Sequence, residues 1–423
     1  MLEGIKKKLQ SIRHRCSESE EKSAFDIALF STVDDIPFDH WNKVLNNEKL
    51  PLSIPYLAAV EVKPARNMSF HYAIVYKDIV PVAVLYFQEF DFSLANISQN
   101  VNMARIENVF NGLKKLAGVS VNGAEGVAAR LLVFGNTYTT GEYGFHYTAD
   151  FNHENLSDII LQTTEKIIAG QKKSGKINAI LLKDFYKTRE RQFEGIKNNS
   201  FHVFNVQPSM ELSINPEWKT FEDYLSAFSS KYRVRAKSAL KKGIRLTHRE
   251  FTADDIVKHY DKIHQLYLNV EEKADFQLVT ISKTYFYDLK IALENNFIFK
   301  GFFLEDELVA FATLLLGNDC LEANFVGMNY DFNLDNCIYQ NILYDDVKMA
   351  IDRKVKTLYF GRTALEIKST LGAEPLDMFL FVKHTNSITN SILGTIMANL
   401  KQAEWIQRRP FKDVEEKVKE LES

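Results

Sequence analysis

Hydrophobic and polar positions follow almost the same pattern in two distant stretches of this chain. HYAIVYKDIVPVAVLYFQ, beginning at His71, predicts a strand, a polar turn at Lys77-Asp78 and a second strand. KGFFLEDELVAFATLLLG, beginning at Lys300, repeats the phrase with Glu305-Asp306-Glu307 at the turn. A third apolar segment follows each hairpin, ARLLVFGNTYTT (129–140) and CLEANFVGMNY (320–330). Next comes helical spacing: Ile159, Ile160, Thr163, Ile167 and Ile168 in one copy, Tyr339, Leu343, Val347 and Ile351 in the other. Both helices finish in basic residues, as the helix dipole favours, and each leads into a short apolar strand, INAILL (177–182) or VKTLYFG (355–361).

The order strand–strand–strand–helix–strand thus occurs twice, about 200 residues apart, which predicts two copies of one α/β module. The expected organisation is a basic helix and polar linker at 1–24, a first domain at 25–204, a second at 205–390 and a helical tail at 391–423, with the inter-domain linker near 203–216. A length of 423 residues suits about two domains.

Composition changes this picture little. Hydrophobic residues make up 46% and charged residues 25%, ordinary for a globular chain, and a net charge of −3 supplies no global field to draw nucleic acid or a membrane. Three cysteines (Cys16, Cys320, Cys337) are too few for a disulfide framework and lack metal-ligand spacing, as do the ten histidines, so no metal is expected. No apolar run has the roughly 18 residues of a spanning helix, and the N-terminus is too basic and interrupted for a signal peptide. A cytoplasmic protein is expected. Leu2, Ile5, Leu9 and Ile12 lie on one face of the basic N-terminal helix, which would allow contact with the inner face of a membrane.

Charge matters locally. A helix expected across 216–245 carries Lys231, Arg233, Arg235, Lys237, Lys241, Lys242 and Arg245 in its latter half without one acid, while Tyr232, Ala236, Ala239 and Leu240 share an arc. Such an unbalanced cationic face suits a phosphate-bearing donor, an acidic lipid headgroup or RNA. The run GQKKSGK (170–176) imitates a phosphate loop, but it follows a helix and opens a strand, the reverse of what phosphate binding needs.

Two segments carry candidate chemistry. GNTYTTGEYGFHYTAD (135–150) gathers Asn136, Tyr138, Glu142 and His146 directly after a strand, as a substrate loop would. In YFGRTALEIKSTLGAEP (359–375), a core strand ends at Gly361 and is followed within seven residues by Arg362, Glu366 and Lys368.

These residues bring a resemblance. SSKYRVRAKSALKKG resembles the basic helix that opens the second domain of FemAB-like proteins. FGRTALEIKSTLGAEP resembles their strand–Phe-Gly element with its spaced lysine and glycine, and GEYGFHY is similar to a stretch in some members. The group includes the BioF2-like acyltransferases of the GNAT superfamily. The resemblance implies an α/β (α+β) fold of two tandem GNAT-like domains, each a twisted mixed sheet flanked by helices. It also implies acyl or aminoacyl transfer to an amine by direct attack. Simple GNAT enzymes hold coenzyme A with a glycine-rich loop, where this chain has VGMNYDFNLDNC. A thioester, acyl-CoA held otherwise or acyl-carrier protein, is therefore the expected co-substrate, with no tightly bound cofactor and no DNA; the alternative is Fem-type transfer from aminoacyl-tRNA to a peptidoglycan precursor. The acceptor could be a lipid precursor, an amino sugar or an amino acid. A non-catalytic module binding an anion through 231–245 is the reading of another class. Acyl transfer needs a carboxylate near the amine and a cation near the oxyanion. Glu366 or Glu142 is expected in the first role, Lys368 or Arg362 in the second, with Lys231, Tyr232, Arg233, Arg235, Asn136, Tyr138, His146 and Gly361 binding substrate.

Overall fold

A computed structural model of the chain describes residues 25–64, 67–93, 128–170, 176–274, 278–399 and 404–412. The basic N-terminal helix expected at 1–24 lies outside them.

Both hairpins form as the alternation requires. In the first half, β1 (Asp26–Phe30), β2 (Ser69–Lys77), β3 (Val80–Ser93) and β4 (Ala128–Phe134) pair antiparallel in sequence order. Between the first two strands comes helix α1 (Ile54–Val62); a short β5 (Phe145–Tyr147) pairs with β3. Helix α2 (Leu156–Gly170) then returns the chain to β6 (Ala179–Tyr186), which runs parallel to β4. In the second half, β8 (Leu246–Glu250), β9 (Phe297–Leu304), β10 (Glu307–Leu316) and β11 (Cys320–Met328) repeat the antiparallel series, and β12 (Thr357–Gly361) runs parallel to β11.

The segment 203–216, expected as a linker, instead holds most of β7 (His202–Ser213), at the centre of the sheet. β13 (Glu374–His384) pairs with it along most of its length. Each of these two strands crosses over: β7 follows β6 in sequence but sits beside β12, and β13 follows β12 but sits beside β6. The sheet is therefore continuous, in the order β1-β2-β3-β4-β6-β13-β7-β12-β11-β10-β9-β8. Backbone groups that would be free edges within each half are paired by the exchanged strands. One hydrophobic cluster also draws on both halves, joining Trp41, Tyr56 and Tyr72 to Tyr285, Phe286 and Phe311.

The helix expected across 216–245 is two: α3 (Phe221–Ala227) and α4 (Ser230–Lys242). The break is at Phe228, extended and fully buried, which pairs with Phe411, while the Ser229 amide donates to Pro410 O at 2.8 Å. The remaining helices that shape the site are α5 (Tyr260–Glu271), α6 (Tyr285–Leu293), α7 (Ile338–Asp352) and the short α8 (Leu365–Ser369). After α9 (Ser387–Asn399), residues 404–410 have no helix, so the expected helical tail is partly extended chain in which Ile406 and Arg408 bond to Glu366.

Candidate active site

Strands β11 and β12 keep parallel register only from Cys320–Thr357 to Glu322–Tyr359. Past that point β11 continues to Met328 paired with β10 alone. β12 bulges against β7 at Phe360 and leaves the sheet at Gly361, whose φ of +67° favours glycine. Thr363 and Ala364 follow at φ +65° and +48°, left-handed conformations that are strained for residues with a Cβ. The strands part, and two cavities open, sharing Ala323, Asn324, Phe325, Phe360 and Thr363 as walls. The smaller, about 300 Å³, faces the first half and takes Thr137, Tyr138, Tyr143 and Lys183 from it. The larger, about 660 Å³, has a mostly apolar lining, including Val270 of α5, Leu343 of α7, Val326 of β11 and Ala274, with Glu271, Lys273, Asp346 and Lys368 as its charged residues.

Glu322 lines the smaller cavity. Burial pushes its carboxyl up to about 7, opposed by the Tyr143 hydroxyl, which donates to it, and by the charge of Lys49. A carboxyl group poised there can accept a proton from an amine near neutral pH. Lys49 donates to Glu142 O at 2.6 Å and Phe145 O at 3.0 Å, and burial draws its own pKa down to about 8.

A buried charge cluster forms the opposite side. Lys183 and Asp184 together face a single β13 residue, because Leu182 pairs with Phe381 and Phe185 with Phe379. This bulge, with Asp184 at φ +64°, turns both side chains toward the gap between the halves. Asp184 accepts from the Gly141 amide at 3.2 Å and pairs with Lys183 at 2.5 Å and with Arg362. Lys183 also donates to Asn136 O and Thr139 O, at 2.7 and 2.9 Å, and so holds the loop that follows β4. Burial lowers the pKa of both cations, that of Arg362 to about 10. Thr137, Asn324 and Arg362 line this cavity, and their buried Oγ1, Nδ2 and Nε atoms have no hydrogen-bond partner among the described residues; Asp184 Oδ1, behind them, has only its ion pair with Arg362. Buried polar groups are normally satisfied, so three such residues on one cavity mark a place for ligand atoms.

Lys368, the residue singled out by its spacing from Gly361, is buried on the wall of the larger cavity. Its ammonium donates to the carbonyls of Phe360 at 2.8 Å, Gly361 at 3.3 Å and Arg362 at 2.5 Å. Its donors are thus directed at the backbone of the strand end. Burial draws its pKa down to about 7, opposed by Asp346.

Of the other expected residues, Arg362, Gly361 and Tyr138 reach the smaller cavity. Asn136 does not line it; its carbonyl Oδ1 accepts from the Tyr138 amide at 3.0 Å and shapes the loop. The two carboxylates expected as bases are elsewhere. Glu142 accepts from Arg189 at 2.8 Å and from the Tyr186 amide at 3.0 Å, which occupies both oxygens. Glu366 is half-exposed and pairs with Arg408 at 3.1 Å, not with Arg362. His146 sits 3.5 Å from Glu48 with its pKa held down to about 4, chiefly by burial, and lines neither cavity. Lys231 and Arg235 border a separate groove with Gln340, Glu366, Ile367 and Arg408, so this is where the structure places Glu366. Tyr232 packs inward beneath them, and Arg233 turns back to Phe228 O at 3.4 Å. The groove adjoins the larger cavity at Ile367.

Sequence reasoning missed Glu322, Asn324, Thr137, Lys183 and Asp184. A signal existed for two of them: CLEANFVGM places Glu and Asn within an otherwise apolar strand, where polar residues need a reason.

No protein-family profile and no curated protein matches the chain. Among solved structures it is similar to FemX, at 13% identity and a TM-score of 0.52, over 87% of this chain and 100% of that one. It is also similar to a tandem GNAT protein from the clavulanic acid biosynthesis pathway, at 8% identity and a TM-score of 0.49, over 86% of this chain and 99% of that one. A third is the C-terminal domain of a putative lysylphosphatidylglycerol synthetase from Agrobacterium fabrum, at 9% identity and a TM-score of 0.46, over 85% and 94%. At these identities the likeness concerns the fold alone, and the fold is shared with FemX over nearly the whole chain.

Proposed function

We propose that this chain, built on the FemAB-like tandem GNAT fold, is an N-acyltransferase that moves an acyl or aminoacyl group from an activated donor to an amine at the β11–β12 opening. The observation that carries the reading is a part-buried carboxyl near neutral pKa, Glu322, on a small cavity that is also lined by residues with unsatisfied polar atoms and shares walls with a larger one.

In this mechanism the donor's acyl arm lies in the larger cavity and the amine enters the smaller one. Glu322 removes a proton from the attacking amine. The nitrogen attacks the acyl carbon directly, the bond to the leaving sulfur or ribose oxygen breaks, and that atom takes up a proton. The edge of β11 beyond Glu322 has no strand partner on the β12 side, which leaves backbone N–H groups available to the developing oxyanion. Lys368 keeps the strand end and its strained turn in position. The basic groove on α4 fits a polyanionic donor, whether acyl-CoA, the phosphopantetheine arm of a carrier protein or aminoacyl-tRNA. FemX shares this fold, which is compatible with the proposal.

The test is a donor panel of acyl-CoA thioesters, acyl-carrier protein and aminoacyl-tRNA, each incubated with the purified protein and mixed amines. Amine-dependent thiol release or loss of aminoacyl-tRNA is expected from one donor class and is lost in Glu322→Gln. Failure of every donor would support the anion-binding alternative, in which α4 is the functional surface.

A further inference from the structure

We propose that the acceptor amine also carries a carboxylate: the smaller cavity is a site for an amino acid, bound with its amino group at Glu322 and its carboxylate at Arg362, Asn324 and Thr137. The inference rests on the transferase reading above and names the substrate class of that site.

Charge balance is the first argument. Lys183, Asp184 and Arg362 form one largely buried cluster of two basic side chains and one acidic one, and burial lowers the pKa of both bases. The neighbouring Arg189–Glu142 pair is balanced within itself, so it does not offset the excess. An unbalanced buried positive charge is costly, and a ligand carboxylate would neutralise it. Glu322, on β11, supplies the complementary group for an ammonium. The cavity therefore has a cationic side and a carboxyl side, the inverse of a zwitterion.

Hydrogen-bond geometry is the second, independent argument. Arg362 spends Nη2 on Asp184 and leaves Nε unpartnered, while Asn324 Nδ2 and Thr137 Oγ1 are equally buried and unpartnered. All three residues line the same cavity. Two are N–H donors and the third is a hydroxyl, so together they ask for an acceptor with several lone pairs, as a carboxylate has. A simple amine would fill the Glu322 side and leave these atoms desolvated with no partner. The volume, about 300 Å³, suits one small molecule and would exclude a bulky lipid headgroup with its chains. Leu278, Ile281 and Phe325 on the same wall offer apolar contact to a side chain.

The test measures binding without any acyl donor. The full chain is titrated calorimetrically with free L-amino acids and with their decarboxylated counterparts: phenylalanine against phenethylamine, lysine against 1,5-diaminopentane, alanine against ethylamine. At least one amino acid is expected to bind, and its decarboxylated partner at least about tenfold more weakly. Asn324→Asp, which sets a carboxylate against that of the ligand, should weaken amino-acid binding by at least about tenfold while leaving the amine's binding unchanged or tighter. Thr137→Val, nearly isosteric, should weaken it by about threefold and serves if the first variant does not fold. The proposal is overturned if amines bind as tightly as amino acids, if the folded variants leave the amino-acid affinity unchanged, or if no amino acid saturates the protein by about 10 mM. Its failure is separable from that of the transferase reading. Turnover of amines lacking a carboxylate would sink the acceptor proposal and leave acyl transfer standing. Carboxylate-dependent binding with no transfer from any donor would do the reverse.

Discussion

The two halves reach the same structural crossroads and treat it differently. In each, a strand runs parallel to its neighbour, the second strand of the pair carries a bulge, and a buried lysine clasps backbone carbonyls where the strands part. In the first half β4 stops at Phe134. Gly135, at φ +118°, leaves room for Lys183, whose Cγ would lie 2.8 Å from a Cβ there, and that lysine ties the 135–144 loop across the gap. In the second half β11 runs on for six residues beyond its last β12 partner, and Lys368 secures the strand end from the helix that follows it, so the gap stays open. One copy has closed its opening with a loop, and the other has kept it. The closed copy still contributes, because its loop and bulge supply Thr137, Tyr143 and Lys183 to the open copy's cavity, with Asp184 buried behind them and paired to Lys183 and Arg362.

Removing the carboxyl at the open site should have the largest effect. Glu322→Gln is expected to reduce acyl transfer by about 10²–10⁴-fold, measured as initial rate at saturating donor. The same change should stabilise the fold. The carboxyl's pKa is about 7 in the folded protein against an ordinary 4.5, so the folded state holds a proton that the unfolded chain has released. Wild-type stability should therefore fall as pH rises from about 4.5 to about 7, and the glutamine variant should lack that fall, gaining about 2–3 kcal/mol at pH 8 in denaturant titrations.

Next come the two lysines, whose comparison tests the asymmetry directly. Lys183→Met breaks a buried ion pair and should destabilise by about 3–5 kcal/mol, read from urea midpoints. Lys368→Met should also cost stability, but its signature is catalytic: a loss of about tenfold or more in kcat once folded protein is selected, because the turn at 361–364 is no longer held. Equal kinetic effects at both positions would erase the distinction between a sealed and a working copy.

Smaller effects belong to the surface. Lys231→Ala with Arg235→Ala should raise the KM for a phosphate-bearing donor by about three- to tenfold at low salt, and the difference should shrink as ionic strength rises. Glu366→Ala, which removes only a half-exposed pair with Arg408, should change stability by less than about 0.5 kcal/mol and leave kcat unaltered. A large kinetic effect there would return the catalytic role to the residue first expected to hold it.

Much of the fold was legible because its cues are local. Period-two alternation in the hairpins, helical spacing around Ile160 and Leu343, and the repetition of both depend on residues a few positions apart. Arg362 and Gly361 stood out because they break a strand pattern, and both do reach the cavity. Glu142 and Glu366 stood out for the same reason and do not, since the partner that occupies a carboxylate lies 47 residues away in one case and 42 in the other. No spacing rule reaches that far.

The sequence alone thus determined the two modules, the order of strands along each half, and Gly361 and Arg362 as residues at the strand end that borders the smaller cavity. Tertiary structure decided the rest: that β7 and β13 change places, that Asp184 meets Arg362, and that one opening is filled while its counterpart stays empty of chain. The physical reason is that burial and charge pairing are properties of position in space. Glu322 acquires its raised pKa, and Arg362 its unpartnered Nε, only when two halves of the chain close around them.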